Sequence, residues 1–499
     1  MVKNDNESEK VGGYRQIMKA TSIFGGVQVF NIIISIIRSK VIAVLLGPTG
    51  MGIAGLLTST TALIGSLTNF GLGVSSVKDI AAANETKDDL EISKVVVVVR
   101  RLVWFTGLLG ALITLILAPW LSELSFGNSD YTIAFLWLSI TLLFNQLTSG
   151  QNVLLQGLRK LNFLAKANMF GSALGLLVSF PLYYYFEIRG IVPALILTTI
   201  ITFLVNLYFS NKIPIQKIQV TLSETKTQGK GMMLMGFMLS LSGIMTVGSS
   251  YVVRIFISNT GGVDDVGFFN AAFAIINTYV GLVFTAMATD YYPRLSGVAQ
   301  DNKKATLLIN QQADIAILIL APVLAVFIIF INWVVILLYS TKFAPIDSML
   351  HWMALGMFFK AASWSISFIL LAKGASKVFF WNELIANIYG LGLNLLGYYL
   401  FGLEGLGISF LINYVLYLVQ VFILARYKYG FKFNTDFHKI FVIQFISAMS
   451  CFFIIKFTPL PYSYIYGTPI ILFSAWYSFK ELDKRMDLKE LLGKITKKK

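Results

Sequence analysis

Residues 95–118 read VVVVVRRLVWFTGLLGALITLILA, and the only charges in the stretch are Arg100 and Arg101, near its start. A helix of that length spans ~36 Å at 1.5 Å per residue, enough to cross a hydrocarbon core of ~30 Å. The two arginines extend a basic segment that already holds Lys78, Lys87 and Lys94. An apolar helix with cations at one end reads as a membrane span with a marked side.

The pattern recurs in both directions from this stretch. Apolar spans are predicted near 17–42, 52–78, 95–118, 131–150, 163–186, 190–210, 232–257, 266–290, 307–338, 347–371, 378–400, 405–425, 439–457 and 462–479. Of the 40 Lys and Arg residues, 33 fall in the two terminal segments or in every second gap, counted with the adjoining span ends. The positive-inside rule places those loops and both termini in the cytoplasm. Seven basic residues break the pattern: Arg38, Lys40, Arg189, Arg254, Lys342, Lys360 and Lys456. The predicted fold class is an all-α polytopic membrane protein with about fourteen transmembrane helices.

Composition excludes several other classes. The chain is 56% hydrophobic and 13% charged over 499 residues, too little polar surface for a soluble protein. Its net charge of +15 is spread over short loops and builds no basic domain, so no nucleic-acid partner is expected. The longest non-cytoplasmic loops, near 119–130 and 258–265, hold about a dozen residues or fewer. That weighs against a membrane glycosyl-transferring enzyme, which needs an extramembrane loop for its acceptor and its carboxylates. Cys451 is the one cysteine, and His351 and His438 lie far apart, so no disulfide, metal site or Cys–His pair is expected. The chain begins MVKNDNESEK, and no small-residue cleavage site follows the first apolar stretch. The first span is expected to be retained.

The chain also repeats itself at an offset of about 216 residues. LLQGLRKLNF at 154–163 echoes LLAKGASKVFF at 370–380, with Gly157 matching Gly374 and Lys160 matching Lys377. IRGIVPA at 188–194 echoes LEGLGIS at 403–409, Arg15 pairs with Lys230, and Arg38 pairs with Arg254. The expected organisation is an N-terminal tail (1–14), an N-lobe six-helix bundle (15–212), a linker (213–229), a C-lobe six-helix bundle (230–427), helices 13 and 14 (428–480) and a basic tail (481–499). An even number of spans per half gives both halves one orientation, related by an axis along the membrane normal. Two such bundles suit an alternating-access carrier with its substrate site at their interface.

Four motifs carry a resemblance to a known family. They are LGPTGMG at 46–52, following Arg38; NFGLG at 69–73; LQGLRK at 155–160; and YYPRLSG at 291–297. In these the chain resembles the O-antigen translocases (Wzx-type flippases) of the polysaccharide-transport family. Their superfamily also holds multidrug exporters and the lipid II flippase. The resemblance implies a V-shaped, two-lobed bundle in the bacterial inner membrane. It implies translocation of an undecaprenyl-pyrophosphate-linked oligosaccharide, by a monomer with a polysaccharide polymerase or glycosyltransferases as partners. No cofactor is expected beyond coupling to H+ or Na+.

A pyrophosphate-linked head group needs a polar cavity and cations. Lys360 lies 13 residues from Asp347 and 13 from Lys373, hence ~20 Å from either end of its span. A cation there costs about 2.5–3.5 kcal/mol on insertion scales unless it faces a cavity or a partner. Cavity-facing and structurally paired readings are both open. Arg38 and Arg254 occupy repeat-related places near the outer interface, where phosphate or sugar contact competes with simple interfacial anchoring. Gln28, Asn31, Ser35 and Arg38, spaced three, four and three apart, form a polar stripe on the first span. Asn387 and Asn394 share a face of the eleventh span.

The candidates for ion coupling are Asp314 (with Asn310 four residues earlier), Glu383, Asp79 and Asp290. All lie near the cytoplasmic interface, where pairing with Lys or Arg is the competing role. The first span holds no acid. Multidrug exporters of the superfamily typically carry an acidic N-lobe site, so this departure counts against a cation-coupled small-molecule exporter. Tyr183–Tyr185 and Tyr398–Tyr399 fall at span ends as an aromatic belt. Pro181, Pro193 and Pro322 are candidate bending points.

Overall fold

The computed structural model describes residues 26–486 apart from residue 217. The expected N-terminal tail, the start of the first span, Lys3, Lys10, Arg15, Lys19, Lys217 and residues 487–499 lie outside the described residues. Among those described, no strand occurs.

Among the described residues fifteen α-helices follow one another: α1 (Gly26–Leu45), α2 (Gly47–Thr68), α3 (Leu72–Thr86), α4 (Asp89–Phe126), α5 (Thr132–Gly157), α6 (Leu161–Phe186), α7 (Ile191–Ser210), α8 (Leu222–Gly261), α9 (Val263–Ala274), α10 (Leu282–Gly297), α11 (Asn302–Leu338), α12 (Asp347–Ala372), α13 (Ser376–Tyr429), α14 (Thr435–Phe457) and α15 (Tyr462–Met486). A π-helical turn, Ile275–Val280, joins α9 to α10. Ten helical segments among the described residues are long and apolar enough to cross a membrane, eleven if the bent pair within α8 is one span.

Local sequence explains where helices begin and turn. Asp88, Asp301 and Asn434 cap α4, α11 and α14 by accepting first-turn amides, and Thr221 with Glu224 forms a capping box on α8. Two long helical segments fold back on themselves. The first is the α6–α7 segment, where Gly175 faces Thr198, Gly171 faces Thr202, and the reversal falls at the 3-10 turn Glu187–Gly190. The second is α13, broken at Gly402, where Ser409 Oγ donates to the Leu393 carbonyl and Gln420 reaches Asn382. The span expected at 52–78 is interrupted between α2 and α3, where Phe70 and Gly71 have φ of 48° and 63°. Pro193 sits in the first turn of α7, where a missing N–H costs nothing. The irregularity in α11 falls at Phe330, not at Pro322.

Contacts divide the chain into two compact units, Met1–Gly267 and Phe268–Lys499. The sequence repeat puts its boundary at 213–229, whereas the contact boundary falls beyond α8, within α9. Partners of α8 in the first unit account for this. Tyr251 bonds Ser125 Oγ at 2.8 Å, Ser125 lies 3.3 Å from Thr60 Oγ1, and Lys94 pairs with Glu224 at 2.8 Å. The core of the first unit gathers around Val98, Val99, Leu155 and Ala167. A core cluster of the second unit gathers around Tyr291, Ile366, Ile369, Val421 and Phe431.

Candidate functional site

The four motifs prove to be packing and loop devices. The would-be Cβ of Gly52 lies 2.0 Å from the Val263 carbonyl oxygen, so α2 and the start of α9 meet backbone to backbone. Gly71 brings α3 equally close to the Gly236 carbonyl of α8. In the other two motifs, Arg159 ion-pairs with Glu85 at 2.7 Å and Tyr291 donates to the Ser365 carbonyl at 2.5 Å. These contacts build the scaffold.

Lys360 lies in the second unit, near the middle of α12, and is half-buried. It donates to Asn277 Oδ1 at 2.8 Å. Its nitrogen is 5.2 Å from the ring centroid of Tyr414 and 5.9 Å from those of Phe284 and Phe410. The aromatic faces stabilise a cation in apolar surroundings. Asn277 belongs to the π-helical turn, and such turns are frequent at functional sites. An ammonium has three donors, and one is used by Asn277. No carboxylate pairs with Lys360 among the described residues. The sequence did not signal the three aromatic partners, since they are a few among 40 Phe and 22 Tyr. Asn277, a polar residue inside an apolar run, was legible.

Arg38 on α1 lies against α6, with Nη2 3.4 Å from the would-be Cβ of Gly175. Its Nε is buried without a hydrogen-bond partner, as is Asn31 Oδ1 two turns earlier on the same face. Gln28 and Ser35, the other members of that stripe, are exposed. Arg254 is half-buried and donates from Nη1 to the Ser250 carbonyl of its own helix at 2.9 Å and to Ser250 Oγ. Lys456 is paired with Glu404 at 3.6 Å. Asn387 and Asn394 donate to carbonyls of their own helix.

The four acids sort into two pairs. Asp314 is buried and faces Arg485 of α15 at 3.4 Å, and Asp290 pairs with Arg294 at 3.0 Å. Glu383 Oε1 instead accepts from the Tyr417 hydroxyl at 2.7 Å and from Asn382 at 3.1 Å. Asp79 sits half-buried on α3. Burial holds its carboxyl above the ordinary range, against the pull of neighbouring Lys78.

The first unit contains a polar chamber of about 410 Å³ between α2, α5 and α7. Its walls carry Thr58, Thr61, Ser66, Asn69, Thr141, Asn145, Gln146, Ser149 and Thr199, all neutral. Hydroxyls and amides of this kind offer both donors and acceptors, the chemistry that meets a sugar or a water chain. Sequence reasoning passed over these residues. The signal was present, because Thr58, Thr61, Gly65 and Asn69, and likewise Thr141, Asn145 and Ser149, recur at helical spacing.

Comparison with known proteins fits this architecture. Residues 41–348 match the family model described as polysaccharide biosynthesis protein. A protein of Shigella flexneri assigned as an O-antigen transporter is 25% identical over 346 residues, covering 67% of this chain and 79% of that one. The lipid II flippase MurJ in an inward closed conformation superposes with a TM-score of 0.71 at 15% identity, covering 93% of this chain and 99% of that one. An inward-facing multidrug resistance transporter of the MATE family superposes with a TM-score of 0.65 at 18% identity, covering 81% and 94%. The chain therefore belongs to the polysaccharide biosynthesis protein family. It is a multi-pass membrane protein with the fold of MurJ and MATE transporters, and these relatives are transporters and flippases rather than enzymes.

Proposed function

We propose that this protein is a flippase that moves a polyprenyl-pyrophosphate-linked oligosaccharide, an O-antigen-like repeat unit, across the bacterial inner membrane by alternating access. The observation that carries this reading is Lys360, a mid-helix cation with no carboxylate partner among the described residues and with donors left for a phosphate. Arg38 and Arg254 supply further positive charge, and the neutral chamber of the first unit suits sugar hydroxyls. The match to the Shigella transporter supports the same substrate class.

Fourteen crossings with both termini cytoplasmic belong to this proposal. The two fold-back segments count as two crossings each, and α15 is the last. Ion coupling runs through Glu383 or Asp79, because Asp314 and Asp290 already face arginines.

The test is transport by the full chain in proteoliposomes. An undecaprenyl-pyrophosphate-linked glycan is loaded in one leaflet, and its appearance in the other is followed by lectin accessibility. Translocation well above protein-free vesicles is expected. A rate equal to protein-free vesicles, with gradient-driven efflux of cationic dyes instead, would establish the exporter reading.

A further inference from the structure

A groove of about 1110 Å³ runs between α4 and the first half of α8, wholly within the first unit. Its walls include Trp104, Phe105, Leu234 and Phe237, and it is also lined by Arg100, Arg101, Lys226 and Lys230. We propose that this groove holds an acidic phospholipid of the cytoplasmic leaflet, a site separate from that of the transported glycan.

The two helices run in the same direction. Lys94 meets Glu224, Leu102 packs on Gly229, and Ser125 bonds Tyr251. On each helix one apolar lining residue, Val97 or Leu222, precedes the cations, and the larger apolar side chains follow them. Arg100 and Arg101 precede Trp104 and Phe105, and Lys226 and Lys230 precede Leu234 and Phe237. Two parallel helices thus match one amphiphile, with an anionic head at the end where both helices begin and a chain running deeper.

Charge complementarity fixes the head group. Arg101 is held by the Val220 carbonyl at 2.7 Å and Thr225 Oγ1 at 2.8 Å. Arg100, Lys226 and Lys230 have no carboxylate partner among the described residues. Lys226 and Lys230 stand four apart on one helix, where like charges repel. An anion between them removes that repulsion. Thr225 is the one hydroxyl in the lining, and Arg101 engages it. The groove can therefore read a phosphate and a chain, and beyond the indole N–H of Trp104 it offers no neutral hydrogen-bonding side chain left over for sugar hydroxyls. An ordinary acidic phospholipid is the occupant that needs no more than this.

The experiment uses the full chain in phosphatidylcholine nanodiscs, doped with either phosphatidylglycerol or phosphatidylcholine brominated on its acyl chains. Trp104 emission is isolated as the difference between the unaltered chain and Trp104→Phe. About a tenfold preference for brominated phosphatidylglycerol is expected, as a few basic residues near a surface give. The preference should collapse in the variant Arg100→Gln, Lys226→Gln, Lys230→Gln, and in the unaltered chain at about 1 M salt. If the triple variant does not fold, the salt titration decides. Equal quenching by the two lipids overturns the proposal, as does a preference indifferent to salt. Displacement of the brominated lipid by an equimolar polyprenyl phosphate assigns the groove to the carrier lipid and also overturns it.

Discussion

At the scale of single residues, Lys360 combines a cost with an opportunity. Its ammonium sits mid-helix, held by one amide oxygen and three aromatic faces. Such a group can take a phosphate without first breaking an ion pair. Lys360→Ala is expected to slow head-group translocation about tenfold or more, the worth of a charge-assisted hydrogen bond. Lipid-glycan flipping in proteoliposomes measures this, with the thermal midpoint as the check on folding. Unchanged flipping in Lys360→Ala, Arg38→Ala and Arg254→Ala alike would remove the cationic site. The position of Lys360 was readable from residue counting. Its cage was not, because Asn277 lies 83 residues away in sequence and Phe410 lies on another helix.

At the scale of elements, close backbone contacts hold the first unit together. Gly71 combines a left-handed φ of 63° with a would-be Cβ 2.0 Å from the Gly236 carbonyl oxygen. Gly71→Ala must therefore strain the turn and part α3 from α8, at about 1–3 kcal/mol. A clear fall in the thermal midpoint in detergent is the expected readout. Helix α11 offers a pH test at its N-terminus. The amides of Lys304 and Lys303 hold the Asp301 carboxyl below the ordinary aspartate range. A lowered folded pKa gives stability that is present above the unfolded value of ~3.9 and lost as pH falls through the folded one. Asp301→Ala should thus melt earlier than the unaltered chain at neutral pH, and the gap should close in acid. The capping residues and the apolar runs were legible in sequence. The reversals at Glu187–Gly190 and Gly402 were foreseen only as gaps between spans, and the break at Phe70–Gly71 was not foreseen at all.

At the scale of the whole molecule, the arrangement of charge sets orientation. Arg189 lies in the 3-10 turn between α6 and α7, and Lys87 ends α3. In a Cys451→Ala background, Arg189→Cys is expected to react with a membrane-impermeant maleimide added to intact cells. Lys87→Cys should react only after permeabilisation. The reverse result would invert the topology. Hydropathy and loop charge are properties of short segments, so the sequence by itself determined the membrane class, the all-helical character and the expected orientation. Tertiary structure alone decided that α8 joins the first unit, that Asp314 meets Arg485, that neutral polar residues of α2, α5 and α7 enclose a chamber, and what surrounds Lys360. Each of these depends on side chains distant in the chain meeting through packing, and no local pattern of apolarity or charge encodes which faces will meet.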